Sequence, residues 1–155
     1  MHNTKDIGFL IPNLTNNTFC DNLLDTIKKF INNNPYDQTV IFNSSCDKID
    51  TKNIPILHLS HSQFFYGKLF LFDLASVVLS QKFPNISKRY LYAQDIPWMN
   101  SPQTNYKYWL DIYNQNNLEL IVPTENLCNI YEIAWKKPIG IVENFNYEQI
   151  KKIIR

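Results

Sequence analysis

The run Ile7-Gly8-Phe9-Leu10-Ile11, closed by Pro12-Asn13 and followed by a helical stretch and a second run, Thr39-Val40-Ile41-Phe42, decides the fold. Five apolar residues ended by a turn signal form the pattern of a strand buried on both faces. Asn16-Asn17-Thr18 then offers a helix N-cap, and Phe19, Leu23, Leu24, Ile27, Phe30 and Ile31 share one helical face. Asn32-Asn33-Asn34-Pro35 stops that helix, because proline disfavours helical geometry at the residue before it. Strand, helix and strand in this order make a parallel crossover unit.

The alternation continues outward from this unit. Residues 43–53 are polar and without period, and Ile54 to Ser60 reads as a third strand with Pro55 near its start, where a missing donor is tolerable. Phe64 to Phe83 is apolar on most sides and predicts a largely buried helix ended by Pro84. Arg89 to Ala93 is the fourth strand, and Gln94 to Met99 a loop. Tyr106, Trp109, Leu110 and Tyr113 mark an amphipathic helix that ends in Asn114 to Asn117. Leu118 to Val122 is the fifth strand, and Thr124 or Asn126 caps a helix with Leu127, Ile130, Tyr131 and Ala134 on its apolar face. Pro138 ends it, Ile139 to Val142 is the sixth strand, and a short helix with Ile150, Ile153 and Ile154 closes the chain.

The expected fold is α/β: a three-layer, doubly wound, mainly parallel six-stranded sheet of Rossmann-like type, forming a single domain over residues 1–155. Function in such sheets gathers at the carboxyl ends of the strands, where strand order reverses. With the first strand central, the reversal is expected between it and the third. The loops to watch are then Pro12 to Thr18, Ser60 to Gln63 and Gln94 to Trp98.

Composition narrows the classes. A chain of 155 residues with 45% hydrophobic side chains is long and apolar enough to build a core, which excludes a disordered segment. Fifteen basic against fourteen acidic residues leave a charge of +1, without the basic excess of a dedicated nucleic-acid binder. The longest apolar stretch is interrupted by Lys68 and Asp73, so no membrane span is expected, and the polar start predicts a cytoplasmic protein. Cys20, Cys46 and Cys128 are too few and too scattered for a disulfide framework or a zinc site, and read as reduced thiols. Abundant Asn, Ile and Lys with only two arginines match an AT-rich genome, as in some phages and bacteria.

Glycines stand only at positions 8, 67 and 140, so neither a dinucleotide fingerprint nor a phosphate-binding P-loop exists. Pro12-Asn13 and Ser60-His61 occupy the places where a response-regulator receiver needs its aspartates, which removes that class too. Leu14 to Thr18 either caps a helix or holds an anion on free N–H groups, faintly like the phosphate loop of flavodoxins, with Trp98 or a tyrosine to stack on a flavin. On a strand His58 and His61 point to opposite faces and no carboxylate accompanies them, so no metal site is expected. His61, just past the strand, is either an exposed or structural histidine or an acid, base or sugar-hydroxyl partner. Asp95 beside Trp98 suits a sugar site, with hydroxyls on the carboxylate and C–H faces on the indole; it equally suits a turn cap and a core cover. Glu125 is a strand-end ligand or a helix-start charge, and Tyr106, Tyr108, Trp109 and Tyr113 read more readily as packing than as a platform.

Taken together, these strand ends resemble a known family. Ile56-Leu57-His58-Leu59-Ser60-His61-Ser62 resembles the histidine-ended strand in the N-terminal domain of GT-B glycosyltransferases. Tyr90-Leu91-Tyr92-Ala93-Gln94-Asp95 is similar to their next strand, with Gln94 in place of a histidine before the aspartate. Leu118 to Thr124 is similar to the strand that leads into a helix through serine, and Ile141-Val142-Glu143-Asn144-Phe145-Asn146 resembles the closing strand and its Asn-containing turn. In the family this turn leads into a second domain, which binds the nucleotide sugar; here the chain closes about ten residues later, and Pro12 to Asn16 replaces the first-loop glycines.

The resemblance therefore implies an acceptor-side half of a sugar transferase, needing a separate donor-binding polypeptide or a homodimer mate and no cofactor. It implies His61 and Asp95 as the catalytic polar groups and Trp98 as the apolar wall for a sugar or glycan acceptor. Asn13, Thr15, Ser60, Glu125 and Asn144 would be further substrate contacts. Two other classes stand beside it: a non-catalytic interaction or scaffold module with a degenerate glycosyltransferase fold, and a flavodoxin-like FMN carrier.

Overall fold

The structure, a computed structural model, describes residues 6–12, 18–44, 53–100 and 105–154. Seven strands form one sheet: β1 (Ile7–Leu10), β2 (Thr39–Asn43), β3 (Ile56–His58), β4 (Gly67–Leu71), β5 (Ile86–Tyr92), β6 (Leu118–Val122) and β7 (Gly140–Ile141). Their order is β3-β2-β1-β4-β5-β6-β7, and every pairing is parallel. The helices are α1 (Thr18–Asn33), α2 (Leu74–Leu79), α3 (Pro97–Asn100), α4 (Tyr106–Gln115), α5 (Glu125–Ala134) and α6 (Tyr147–Ile153). This is the Rossmann-like α/β arrangement expected from the alternation, with one strand more.

Both faces of the sheet are buried, which is why its strands read as continuous apolar runs. On one face Leu23, Ile27 and Phe30 of α1 and Ile150 of α6 pack with Phe9, Phe70, Tyr90 and Ile121. On the other, Val77, Trp109, Tyr113 and Tyr131 from α2, α4 and α5 meet Leu10, Phe42, Leu71, Leu91 and Leu120. Register carries a row of rings across the first face. Phe9 lies opposite Phe70 and Phe70 opposite Tyr90, stacked at centroid distances of 5.2 and 5.1 Å. Each such cross-strand pair contributes about 0.2–1 kcal/mol beyond alanine.

The extra strand lies where a single helix over Phe64 to Phe83 was expected. That segment divides into β4, α2 and a 3-10 turn over Ser80–Lys82. Asp73 makes the break: it caps α2, accepting from Ser76 N at 2.7 Å, while Ser76 Oγ accepts from the Asp73 N–H at 3.0 Å. The third strand is also shorter than expected, because after His58 the chain turns into a 3-10 turn over Leu59–Phe64. This turn carries the crossover from β3 to β4 and brings Phe65 against β1. A side chain at Gly8 would meet Phe65 Cζ and Leu69 Cδ1 at 3.0 Å, so the close approach needs glycine there.

The reversal of strand order therefore lies between β1 and β4, not between β1 and the third strand, which is the sheet edge. Among the described residues no helix is long and apolar enough to cross a membrane.

Candidate functional site

A cavity of about 580 Å³ opens at the carboxyl ends of β1, β4 and β5, on the strand-order reversal. Parallel strands end there with their loops splayed to opposite faces, which leaves a crevice between the α1 and α2 connections. Phe19, Cys20 and Leu23 from α1 form one wall, and Phe72 and Leu74 bracket Asp73 on another. The turn after β5 supplies Gln94 and Asp95, and α4 and α5 close the back with Trp109, Tyr113 and Tyr131. The size suits a small molecule, since ligand sites run from about 300 to 1,000 Å³.

Local chemistry holds this lining in place. Asp73 is fixed by its capping box on α2. The buried Tyr131 hydroxyl donates to the Asp95 main-chain carbonyl at 2.9 Å and so pins the turn that carries Gln94 and Asp95. Tyr131 is itself held by Trp98, whose ring meets it edge-on at 5.4 Å and Tyr106 at the same distance. Tyr113 is 2% exposed and lines the cavity. Burial pushes its hydroxyl well above its ordinary value of 10, and the negative charges of Asp95 and Asp73 push it further the same way. Burial likewise raises Tyr131, helped by Tyr113 and Asp95. Both phenols therefore stay protonated and neutral across the physiological range, as donors rather than bases.

Comparison of the chain with protein-family models, with curated proteins and with solved structures returned no match. What the site can do is read from its own residues.

The expected site residues fall into separate places. Asp95 lines the cavity, and Trp98 stands behind the wall, against Tyr131. Asn13 and Thr15 lie outside the described residues. His61 and Ser60 are exposed in the 3-10 turn beside edge strand β3, and neither lines the cavity. Ser60 is tied instead to His58, whose Nδ1 accepts from the Ser60 N–H at 3.2 Å and caps the turn. Glu125 is exposed in the first turn of α5, one residue after the Thr124 cap.

Asn144 faces a second, polar cavity of about 360 Å³ together with Asp25 and Lys29 of α1 and Glu143. It sits in a strained turn, where Asn144 and Phe145 both take left-handed backbone angles, φ 51° and 54°. Asparagine tolerates that conformation and phenylalanine does not, at roughly 1–2 kcal/mol per residue. Tyr92 and Thr26 hold the turn. The Phe145 N–H donates to the Tyr92 hydroxyl at 3.2 Å, that hydroxyl donates to Val142 O at 2.8 Å, and Thr26 Oγ donates to Phe145 O at 2.8 Å.

Asp73, Phe72, Trp109 and Tyr113 are among the cavity residues that the sequence reading does not place. Asp73 was hidden inside a presumed helix, although Asp73-Leu74-Ala75-Ser76 carries the spacing of a capping pair. Trp109 and Tyr113 share a helical face at spacing four, and they serve as core and cavity wall at once.

Proposed function

We propose that this domain binds a small carbohydrate at the cavity between β1 and β4, as the acceptor-side half of a glycosyl transfer. One observation carries the reading: the cavity at the strand-order reversal joins aromatic faces, Phe72 and Trp109, to the hydrogen-bonding groups of Asp73, Gln94 and Asp95. A sugar needs this combination, because its C–H faces stack on rings while its hydroxyls take directional hydrogen bonds. No Lys, Arg or His lines the cavity among the described residues, so the phosphates of a nucleotide sugar find no counter-charge there. The donor would accordingly be held by another domain or chain. In this role Asp95 orients an acceptor hydroxyl and takes its proton as that oxygen bonds to the donor's anomeric carbon and the bond to the leaving phosphate breaks.

Ligand-observed NMR with neutral and amino disaccharides tests the proposal. Binding should fall by roughly tenfold or more in Asp95→Ala, the size of a lost charge-assisted hydrogen bond, with the melting temperature unchanged. Sugars that fail to bind, or that bind Asp95→Ala as they bind the wild type, would rule the reading out.

A further inference from the structure

We infer that the cavity takes one end of a longer glycan, a linear oligosaccharide whose next residues leave it over Trp98 and Tyr106. The inference rests on the carbohydrate reading and adds the length of the ligand to it.

Rings lead from the cavity to this surface. Tyr131 lines the cavity and meets Trp98 edge-on at 5.4 Å, and Trp98 meets Tyr106 edge-on at the same distance. Pro97, the residue before Trp98, lines the cavity too, so α3 starts at its rim. Along α4, Trp109 lines the cavity, and Tyr106 stands three residues before it, nearly one helical turn and about 4.5 Å further along the axis. Because α4 leads back into β6, that step runs outward, toward the carboxyl end of the sheet.

The surface so reached is open: Met99 is 73% exposed, Tyr108 47% and Tyr106 42%. Of the four aromatic residues of α4, Trp109 and Tyr113 form core and cavity wall, whereas Tyr106 and Tyr108 are left to solvent. Scattered exposed rings need no account, but a group of them continuous with a cavity marks a binding surface. Its chemistry favours a glycan over a protein partner. The exposed Lys107 separates Tyr106 from Tyr108 in sequence, and lysine is depleted from protein interfaces. Each tyrosine offers a ring to the C–H face of a sugar and a polar tip to its hydroxyls.

The test measures, by calorimetry, the binding of glucosamine oligomers and of their N-acetylated counterparts, each as the disaccharide, the tetrasaccharide and the hexasaccharide. In one series or both, the wild type should bind the hexasaccharide at least about fivefold more tightly than the disaccharide, the size of one stacked ring. Tyr106→Ala should remove most of that gain and bind the disaccharide as the wild type does, while Tyr106→Phe, which keeps the ring, should keep the gain. Equal affinity for all lengths in both series would overturn the inference and leave the carbohydrate reading standing. So would a gain that survives Tyr106→Ala, which is the statistical benefit of more binding frames, or a loss of disaccharide binding in that variant, which makes Tyr106 a support of the wall. No binding of any oligomer would overturn both.

Discussion

Replacing Tyr92 by phenylalanine takes a single oxygen out of the interior, and its effect is set by what that oxygen holds. The hydroxyl bridges the N–H of Phe145 and the carbonyl of Val142, in a region where both residues are fully buried. Neither group finds another partner once it is gone. A buried donor or acceptor left unsatisfied costs about 1–3 kcal/mol, so the pair is expected to cost about 2–4 kcal/mol. For a chain of this length that lowers the melting temperature by roughly 5–15 °C. Tyr147→Phe supplies the control. Its hydroxyl is buried without a hydrogen-bond partner, while its ring packs edge-on to Phe30 at 4.7 Å. Removing that oxygen relieves a desolvated group and keeps the packing, so stability should stay level or rise by about 1 kcal/mol. Urea and thermal denaturation followed by circular dichroism measure both. The reasoning is refuted if Tyr92→Phe lies within about 0.5 kcal/mol of the wild type, or if Tyr147→Phe is the more damaging change.

Three further outcomes follow from the same interior. A methyl group at Gly67 would stand 2.2 Å from the Asp6 carbonyl oxygen, which is backbone, whereas one at Gly140 would stand 2.3 Å from the movable tip of Ile153. In urea unfolding, Gly67→Ala should cost about 3 kcal/mol or more and Gly140→Ala markedly less. Burial holds Asp6 above its ordinary value of 3.8, with Gln38 N–H pulling down and Asp37 pushing up. The folded state then binds more protons than the unfolded one, so this contribution is complete below 3.8 and is lost as pH rises through the raised value. Denaturation across pH should show the wild type losing ground to Asp6→Asn as pH rises; a wild type that gains on the variant as pH rises would contradict the sign. Tyr131→Phe removes the tie to the Asp95 carbonyl and should cost about 0.5–1.5 kcal/mol, with weaker sugar binding measured by calorimetry.

Much of the architecture was legible because it depends on local rules. The runs at Ile7 to Ile11, Thr39 to Phe42 and Leu118 to Val122 became β1, β2 and β6, and the Thr124 cap opened α5. The fourth strand was not legible as such. Gly67 to Phe72 is apolar throughout and runs almost directly into Leu74 to Leu79, and a continuous apolar run has no period to separate a buried strand from a buried helix. That one fusion moved the strand-order reversal. Without β4, the expected strand from Ile54 to Ser60 reads as the neighbour of β1 and His61 as central; pairing places that strand beyond β2, at the edge.

That Asp95 lines the cavity was legible because an aspartate just after a buried strand lies at a carboxyl end whichever neighbours the strand has. Trp109 and Tyr113 could not be assigned as cavity wall from spacing, because a helix face that packs and a helix face that also borders a cavity have the same period.

The most direct test of the account uses the three tryptophans, whose indole N–H signals report different places. Trp109 lines the cavity, while Trp135 does not: its Nε1–H donates to Asn114 Oδ1 at 2.8 Å and its ring meets Tyr113 at 5.1 Å. Titrating isotope-labelled protein with the glucosamine disaccharide should move the Trp109 signal more than that of Trp135. A shift at Trp135 with Trp109 unmoved, or no shift at any indole, would contradict the claim that the cavity between β1 and β4 is the binding site.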